Sequence, residues 1–143
     1  MVNLLGSPNS HMRRLITMSF LLGLALAGCG GGSSDSSEHE NTSPATARKE
    51  VAETRAALNA AVASYKAGDK AKAVDQVSEA YVTHFEEVEG PLEGKDDELK
   101  ESLEHAIAGD LRAAMKAGKP KAAVERQVQS ILADLDKADA ALR

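Results

Sequence analysis

Four stretches of this sequence repeat apolar residues at alternating spacings of three and four, which predicts four amphipathic α-helices. The predicted helices cover about residues 44–67, 69–89, 95–117 and 120–142. No strand pattern competes with them, so the sequence predicts an all-α domain over residues 44–143. The apolar positions are Val51, Leu58, Val62 and Tyr65; Val74, Val77, Tyr81, Phe85 and Val88; Leu99, Leu103, Ile107, Leu111 and Ala114; and Val124, Val128, Ile131, Leu135, Ala138 and Leu142.

Cap and breaker residues separate these stretches. Ser43 before Pro44 is typical of a helix start. Gly90 and Pro91 are expected to end the second helix, because proline cannot continue one. Since two of the three connections are only a few residues long, neighbouring helices should run antiparallel, which predicts an up-down-up-down four-helix bundle. The other boundary signals are Gly68, Asp69, Asp96, Asp97, Gly118 and Pro120.

The first 28 residues are typical of a secretory signal peptide. Arg13 and Arg14 precede an apolar run over residues 15–26, and small residues follow it. As a helix that run would rise only ~18 Å, against a hydrocarbon core of ~30 Å. Met12 is an alternative start, because residues 12–28 alone make a complete signal.

The end of this signal, Leu26-Ala27-Gly28-Cys29, resembles the lipobox of bacterial lipoproteins. That resemblance implies that Cys29 is lipidated, with palmitate among its acyl chains, and becomes the mature N-terminus. Residues 29–43, rich in Gly, Ser and acidic side chains, are expected to form a flexible tether. We therefore expect a membrane-anchored protein of the cell envelope that faces outside the cytoplasm. Gly30 is not the aspartate that retains many lipoproteins in the inner membrane, so a two-membraned cell would carry it on the outer membrane.

Charge and cysteine content exclude several classes of function. Residues 29–143 carry 15 Lys and Arg against 22 Asp and Glu, which argues against nucleic acid as a partner. Cationic partners, including metal ions, are the electrostatic complement. Cys29 is the only cysteine, so once it is lipidated neither disulfides nor thiolate metal sites remain.

The densest polar cluster lies at the end of the second predicted helix. With Tyr81 as the centre of the apolar face, a step of about 100° per residue places His84 about 60° to one side, Glu89 about 80° to the other, and Glu86 largely outward. His84 and Glu87, three residues apart, share a face. On the third helix Glu104 flanks the apolar face, whereas Glu101 and His105 point outward.

Carboxylate and imidazole ligands suit iron or another divalent transition metal. We therefore name His84, Glu86, Glu87, Glu89 and Glu104 as candidate metal ligands. The alternative is that His84 is a boundary histidine and that the glutamates form a solvated face. No nucleophile elbow, glycine-rich phosphate loop or His-Glu-x-x-His motif occurs, so no enzymatic activity is expected.

About half of this domain, from Tyr65 to Arg112, resembles the extracytoplasmic helical segment of bacterial high-affinity iron permeases. The resemblance implies a role in iron uptake or metal handling, with Glu86, Glu89 and Glu104 as the positions carried over and His84 beside them. Those permeases also have a multi-helix membrane portion with glutamate pairs, which these 143 residues do not encode. The matching elements are Tyr65-Lys66-Ala67-Gly68-Asp69, Ala80-Tyr81, His84-Phe85-Glu86, Glu89, Leu92, Leu103-Glu104 and Leu111-Arg112.

The sequence thus favours a lipid-anchored helical module that binds iron or another divalent metal as an accessory of metal uptake. An iron permease or another envelope protein would be its partner. The alternative is a structural or protein-interaction lipoprotein of the envelope that has no metal site.

Overall fold

The computed structural model describes residues 42–143, and within this range the chain is helical without strands. The prediction of an all-α fold with four helices is confirmed. The predicted signal peptide, Cys29 and the tether up to residue 41 lie outside the described residues. The first helix is Pro44–Ala67. The second helix, over residues 70–93, consists of Lys70–Glu79, the π-helical segment Ala80–Phe85 and Glu86–Glu93. The third helix, over residues 97–116, consists of Asp97–Glu104, the π-helical segment His105–Leu111 and Arg112–Lys116. The fourth helix is Lys121–Ala141.

Side-chain caps begin the first three helices. Ser43, Asp69 and Asp96 each accept a hydrogen bond from a backbone N–H three residues later, at 3.2, 3.1 and 3.0 Å. Such a cap typically contributes about 1 kcal/mol. The first and third helices end at Gly68 and Gly118, whose φ angles of 97° and 68° favour glycine because it has no Cβ. The predicted caps are therefore confirmed.

The predicted end of the second helix at Gly90-Pro91 is wrong. Pro91 lies inside the helix, which continues to Glu93, and Gly90 does not have a positive φ. Proline inside a helix removes one N–H and crowds the carbonyl four residues earlier, which typically costs about 3 kcal/mol. Leu92 is fully buried, which contributes about 1.5–3 kcal/mol and so offsets most of this cost. Its carbonyl then accepts two later backbone N–H groups at 2.9 and 2.7 Å, which closes the helix there.

One hydrophobic core draws on all four helices. The side chains of Phe85, Leu58, Leu103 and Ile131 are among its largest members. Thr54 is the one buried polar residue of the described range, and its hydroxyl is satisfied because it donates to the Glu50 carbonyl at 2.8 Å. Within residues 42–143, none of the helices has the length and apolarity that a membrane span requires.

Ion pairs connect the first and fourth helices at both ends. Arg48, near the start of the first helix, contacts Asp139 near the end of the fourth at 2.8 Å. Lys66, at the end of the first helix, pairs with Glu125 near the start of the fourth. The start of each of these helices therefore lies beside the end of the other.

Candidate functional site in the second helix

Two π-helical segments coincide with the predicted site residues. Tyr81 and His84 lie inside the segment Ala80–Phe85, and Glu104 directly precedes the segment His105–Leu111. π-helical turns are rare and occur frequently at functional sites. Each of these turns adds a residue to its helix, so side chains beyond it are rotated from the positions that a regular α-helix would give.

This rotation corrects the predicted centre of the apolar face. The structure buries Ala80 and Phe85, whereas Tyr81 is only half-buried at the margin of the core. Glu86, predicted to point largely outward, is half-buried as well. The other expected orientations hold: His84, Glu89 and Glu104 lie at the rim of the core, and Glu101 and His105 are exposed.

His84 pairs with a residue that the sequence prediction did not include. Its Nδ1 lies 2.8 Å from Oε2 of Glu50 on the first helix, and these side chains are 26% and 14% exposed. The other oxygen of Glu50 contacts Lys49 Nζ at 3.2 Å. The hydrogen bond with His84 is the largest cause that lowers the pKa of Glu50, against the opposing effect of burial.

Glu87 also turns toward the first helix. The Thr42 hydroxyl donates to Glu87 Oε2 at 2.6 Å. Thr42 lies just before the Ser43 cap, so this bond connects the start of the first helix to the second helix. We call these two contacts, His84 with Glu50 and Thr42 with Glu87, the paired side of the second helix.

Glu89 lies in a like-charged group on the opposite side. The Tyr81 hydroxyl donates to Glu89 Oε1 at 2.7 Å. Burial is the largest cause that raises the pKa of Glu89, and repulsion from Glu104 and Glu86 raises it further, although the bond from Tyr81 and the charge of Lys100 oppose these effects. We call Tyr81, Glu86, Glu89 and Glu104 the acidic cluster.

Tyr81 is held in place by contacts on two sides. Its ring lies 5.9 Å from that of Phe85, tilted by 32°. Burial and its bond to Glu89 raise the pKa of its hydroxyl, as do the nearby carboxylates. The phenol therefore stays protonated at neutral pH and acts as a hydrogen-bond donor to Glu89.

The structure thus divides the five candidate metal ligands into two groups. Glu86, Glu89 and Glu104 interact electrostatically in the acidic cluster, whereas His84 and Glu87 have partners on the paired side. Within residues 42–143 no three or more His, Cys, Asp or Glu side chains converge closely enough to hold a metal ion as they are placed. The carboxylate oxygens of the acidic cluster are ligands that hard divalent cations accept, but Glu86 and Glu104 would first have to turn toward Glu89.

Comparison with known proteins returns no match among protein-family models, curated proteins or solved structures. The resemblance to iron permeases therefore rests on the sequence motifs alone.

Proposed function

We propose that this chain is a lipid-anchored helical module outside the cytoplasm that binds a divalent metal cation, iron foremost, at the acidic cluster. The observation that carries the proposal is the environment of Glu89. Its carboxyl group is partly withdrawn from water and is repelled by Glu86 and Glu104, so its pKa is raised. A bound cation would neutralise this repulsion, and the released energy would favour binding.

The chemistry of binding follows from the donors. Metal ligands must be deprotonated, so a cation would displace any proton held by Glu89 and bring the carboxylates of Glu86 and Glu104 toward it. Tyr81 would orient Glu89 through its hydroxyl. His84 and Glu87 are placed outside this ligand set because both already have partners on the paired side.

The proposed architecture is an up-down-up-down bundle. It is supported by connections of two to four residues between the helices and by the end-to-end pairing of the first and fourth helices. Lipidated Cys29 and the tether would attach this bundle to the membrane surface. There it would act without catalysis, beside an iron permease or another envelope protein.

Metal binding is tested with the full chain in a neutral detergent. Calorimetric titration with Fe²⁺ under anaerobic conditions, and with Mn²⁺ and Mg²⁺, should give a dissociation constant in the micromolar range or below for one of them. The variant Glu86→Gln/Glu89→Gln should weaken that binding at least tenfold. The matched control Glu98→Gln/Glu101→Gln removes the same charge from exposed positions and should bind as the unaltered chain does. Absence of binding, or equal loss in both variants, contradicts the proposal.

The anchor has its own test. Cells that express the chain should incorporate labelled palmitate into it, and Cys29→Ser should abolish the label and release the protein from membranes. Retention of the label in that variant would place the acyl chain elsewhere.

A second candidate function, a protein-interaction module without a metal site, is favoured by the paired side. His84 and Glu87 have internal partners, as structural residues do. A chain that binds none of the three cations but forms a stable homodimer in sedimentation would support this second function.

A further inference from the structure

The charges of this acidic chain are segregated along its helices. Residues 66–72 and 116–121 contain six lysines and a single acid, Asp69. By contrast, residues 86–101, which surround the connection between the second and third helices, contain eight acids and two lysines. The lysines surround the connections at the other end of the second and third helices. A local positive potential therefore exists there in spite of the negative net charge.

A cavity of about 250 Å³ lies within this lysine-rich end. It is lined by Lys70, Lys119 and Lys121, together with the two left-handed glycines Gly68 and Gly118. We call it the lysine cavity. A Cβ added at Gly118 would lie 2.5 Å from Lys70 Nζ. The ammonium of Lys70 thus lies directly against the connection between the third and fourth helices.

Two of the lining lysines have no counter-charge. Lys121 Nζ donates to the carbonyl of Lys66, and Lys66 itself pairs with Glu125. Across the described range, neither Lys70 nor Lys119 forms a salt bridge with another residue. Their charges are therefore available to a ligand.

The wall of the lysine cavity is fixed by a hydrogen bond between the first helix and the third-to-fourth connection. Tyr65, buried at the end of the first helix, donates its hydroxyl to the Lys119 carbonyl at 2.6 Å. Because this bond holds the third-to-fourth connection against the first helix, the backbone that carries Lys119 is fixed before any ligand arrives, whereas its exposed side chain becomes ordered only on binding.

We propose that the lysine cavity binds a phosphate group, either as free phosphate or as the phosphomonoester of a larger molecule such as a lipid headgroup. Phosphate is a compact multivalent anion, and lysine ammonium groups bind it as point charges. The volume exceeds that of one phosphate, which leaves space for an attached group. This site lies apart from the acidic cluster, and the proposal does not depend on metal binding.

The test compares two pairs of lysines with the full chain in neutral detergent at low salt. Inorganic phosphate and glycerol 3-phosphate serve as probes in calorimetric titrations. Lys70→Gln/Lys119→Gln removes two charges from the cavity lining. Lys72→Gln/Lys116→Gln removes two charges from the same end but outside the lining, and so controls for the general positive potential.

We expect one phosphate per chain, at least tenfold weaker binding in the Lys70/Lys119 variant, and a change of less than threefold in the Lys72/Lys116 variant. Amide NMR signals of Gly68 and Gly118 should shift on binding. Tighter binding of glycerol 3-phosphate would identify an attached phosphate as the ligand, and equal binding would identify phosphate alone. Absence of binding by either probe, or equal weakening in both variants, would overturn the proposal.

Discussion

On the side of the second helix that faces the first helix, His84 meets Glu50 and Glu87 meets Thr42, so each glutamate has a donor within hydrogen-bond distance. On the other side, Glu89 has the Tyr81 hydroxyl as donor but also faces Glu86 and Glu104, which repel it. Glu86, Glu87 and Glu89 lie within four residues of one another in the sequence. The neighbouring helix, rather than the local run of acids, therefore decides whether a glutamate stabilises the fold or is left with unfavourable charge.

Phe85 lies between His84 and Glu86 in the sequence, and its fully buried ring supports both sides of the second helix. Phe85→Ala should lower the free energy of unfolding by about 3–5 kcal/mol, because it creates a large cavity in the core. It should affect both sides together: the pKa shifts of Glu50 and Glu89 should both shrink. Urea unfolding and NMR titration of the carboxyl groups measure these effects. Loss of the shift on one side only would mean that the two sides are held independently.

The paired side is broken selectively by His84→Ala. This change leaves the Glu50 carboxylate, which is 14% exposed, without its main partner, so stability should fall by about 1 kcal/mol at pH 7. Urea unfolding measures it, with His105→Ala as the control because that histidine is exposed. Equal loss in both variants would show that the contact with Glu50 contributes nothing.

Removing a charge from the acidic cluster should raise the stability of the fold rather than lower it. Glu89→Gln keeps an oxygen that accepts from Tyr81 but removes the charge that Glu86 and Glu104 repel. Without metal it should raise the free energy of unfolding by about 0.5 kcal/mol. Glu53→Gln, at an exposed position in the middle of the first helix, should leave stability nearly unchanged. A destabilised Glu89→Gln chain would contradict the assignment of this side as repulsive.

The smallest expected effect is that Glu50 and Glu89 change the free energy of unfolding with pH in opposite directions. The pKa of Glu50 is lowered from 4.5, so its stabilisation is present above pH 4.5 and is lost as pH falls through the folded-state pKa. The pKa of Glu89 is raised from 4.5, so stability falls as pH rises from 4.5 through the folded-state pKa. Unfolding measured from pH 3 to 7 should show Glu50→Gln removing the first slope and Glu89→Gln the second. The same slope change in both variants would refute the contrast.

The sequence predicted the helices well where local chemistry decides the outcome. The caps Ser43, Asp69 and Asp96 act within three residues of themselves, and most of the predicted apolar positions lie in the core. The predicted end at Gly90-Pro91 is wrong because the burial of Leu92, a tertiary effect that the local pattern does not show, offsets most of the local cost of proline.

The site was predicted only in part, because a regular turn of 100° per residue was assumed. A signal for the π-helical turns exists in the burial pattern: Ala80 and Phe85 are both buried although they are five residues apart, and Leu103, Ile107, Leu111 and Met115 repeat at fours. A regular helix of 3.6 residues per turn cannot keep such spacings on one face. Glu50, in contrast, carries no local signal, since its contact with His84 spans 34 residues.

The hydrogen bond between Thr42 and Glu87 has a mechanical consequence. A pulling force applied to the chain just before residue 42 acts on this bond as well as on the first turn of the first helix, because Thr42 is held to the second helix at 2.6 Å. The load is thus shared between two helices at the point where it enters the domain. Glu87→Ala should make the first helix peel away at lower force, even though the equilibrium stability of the bundle changes little.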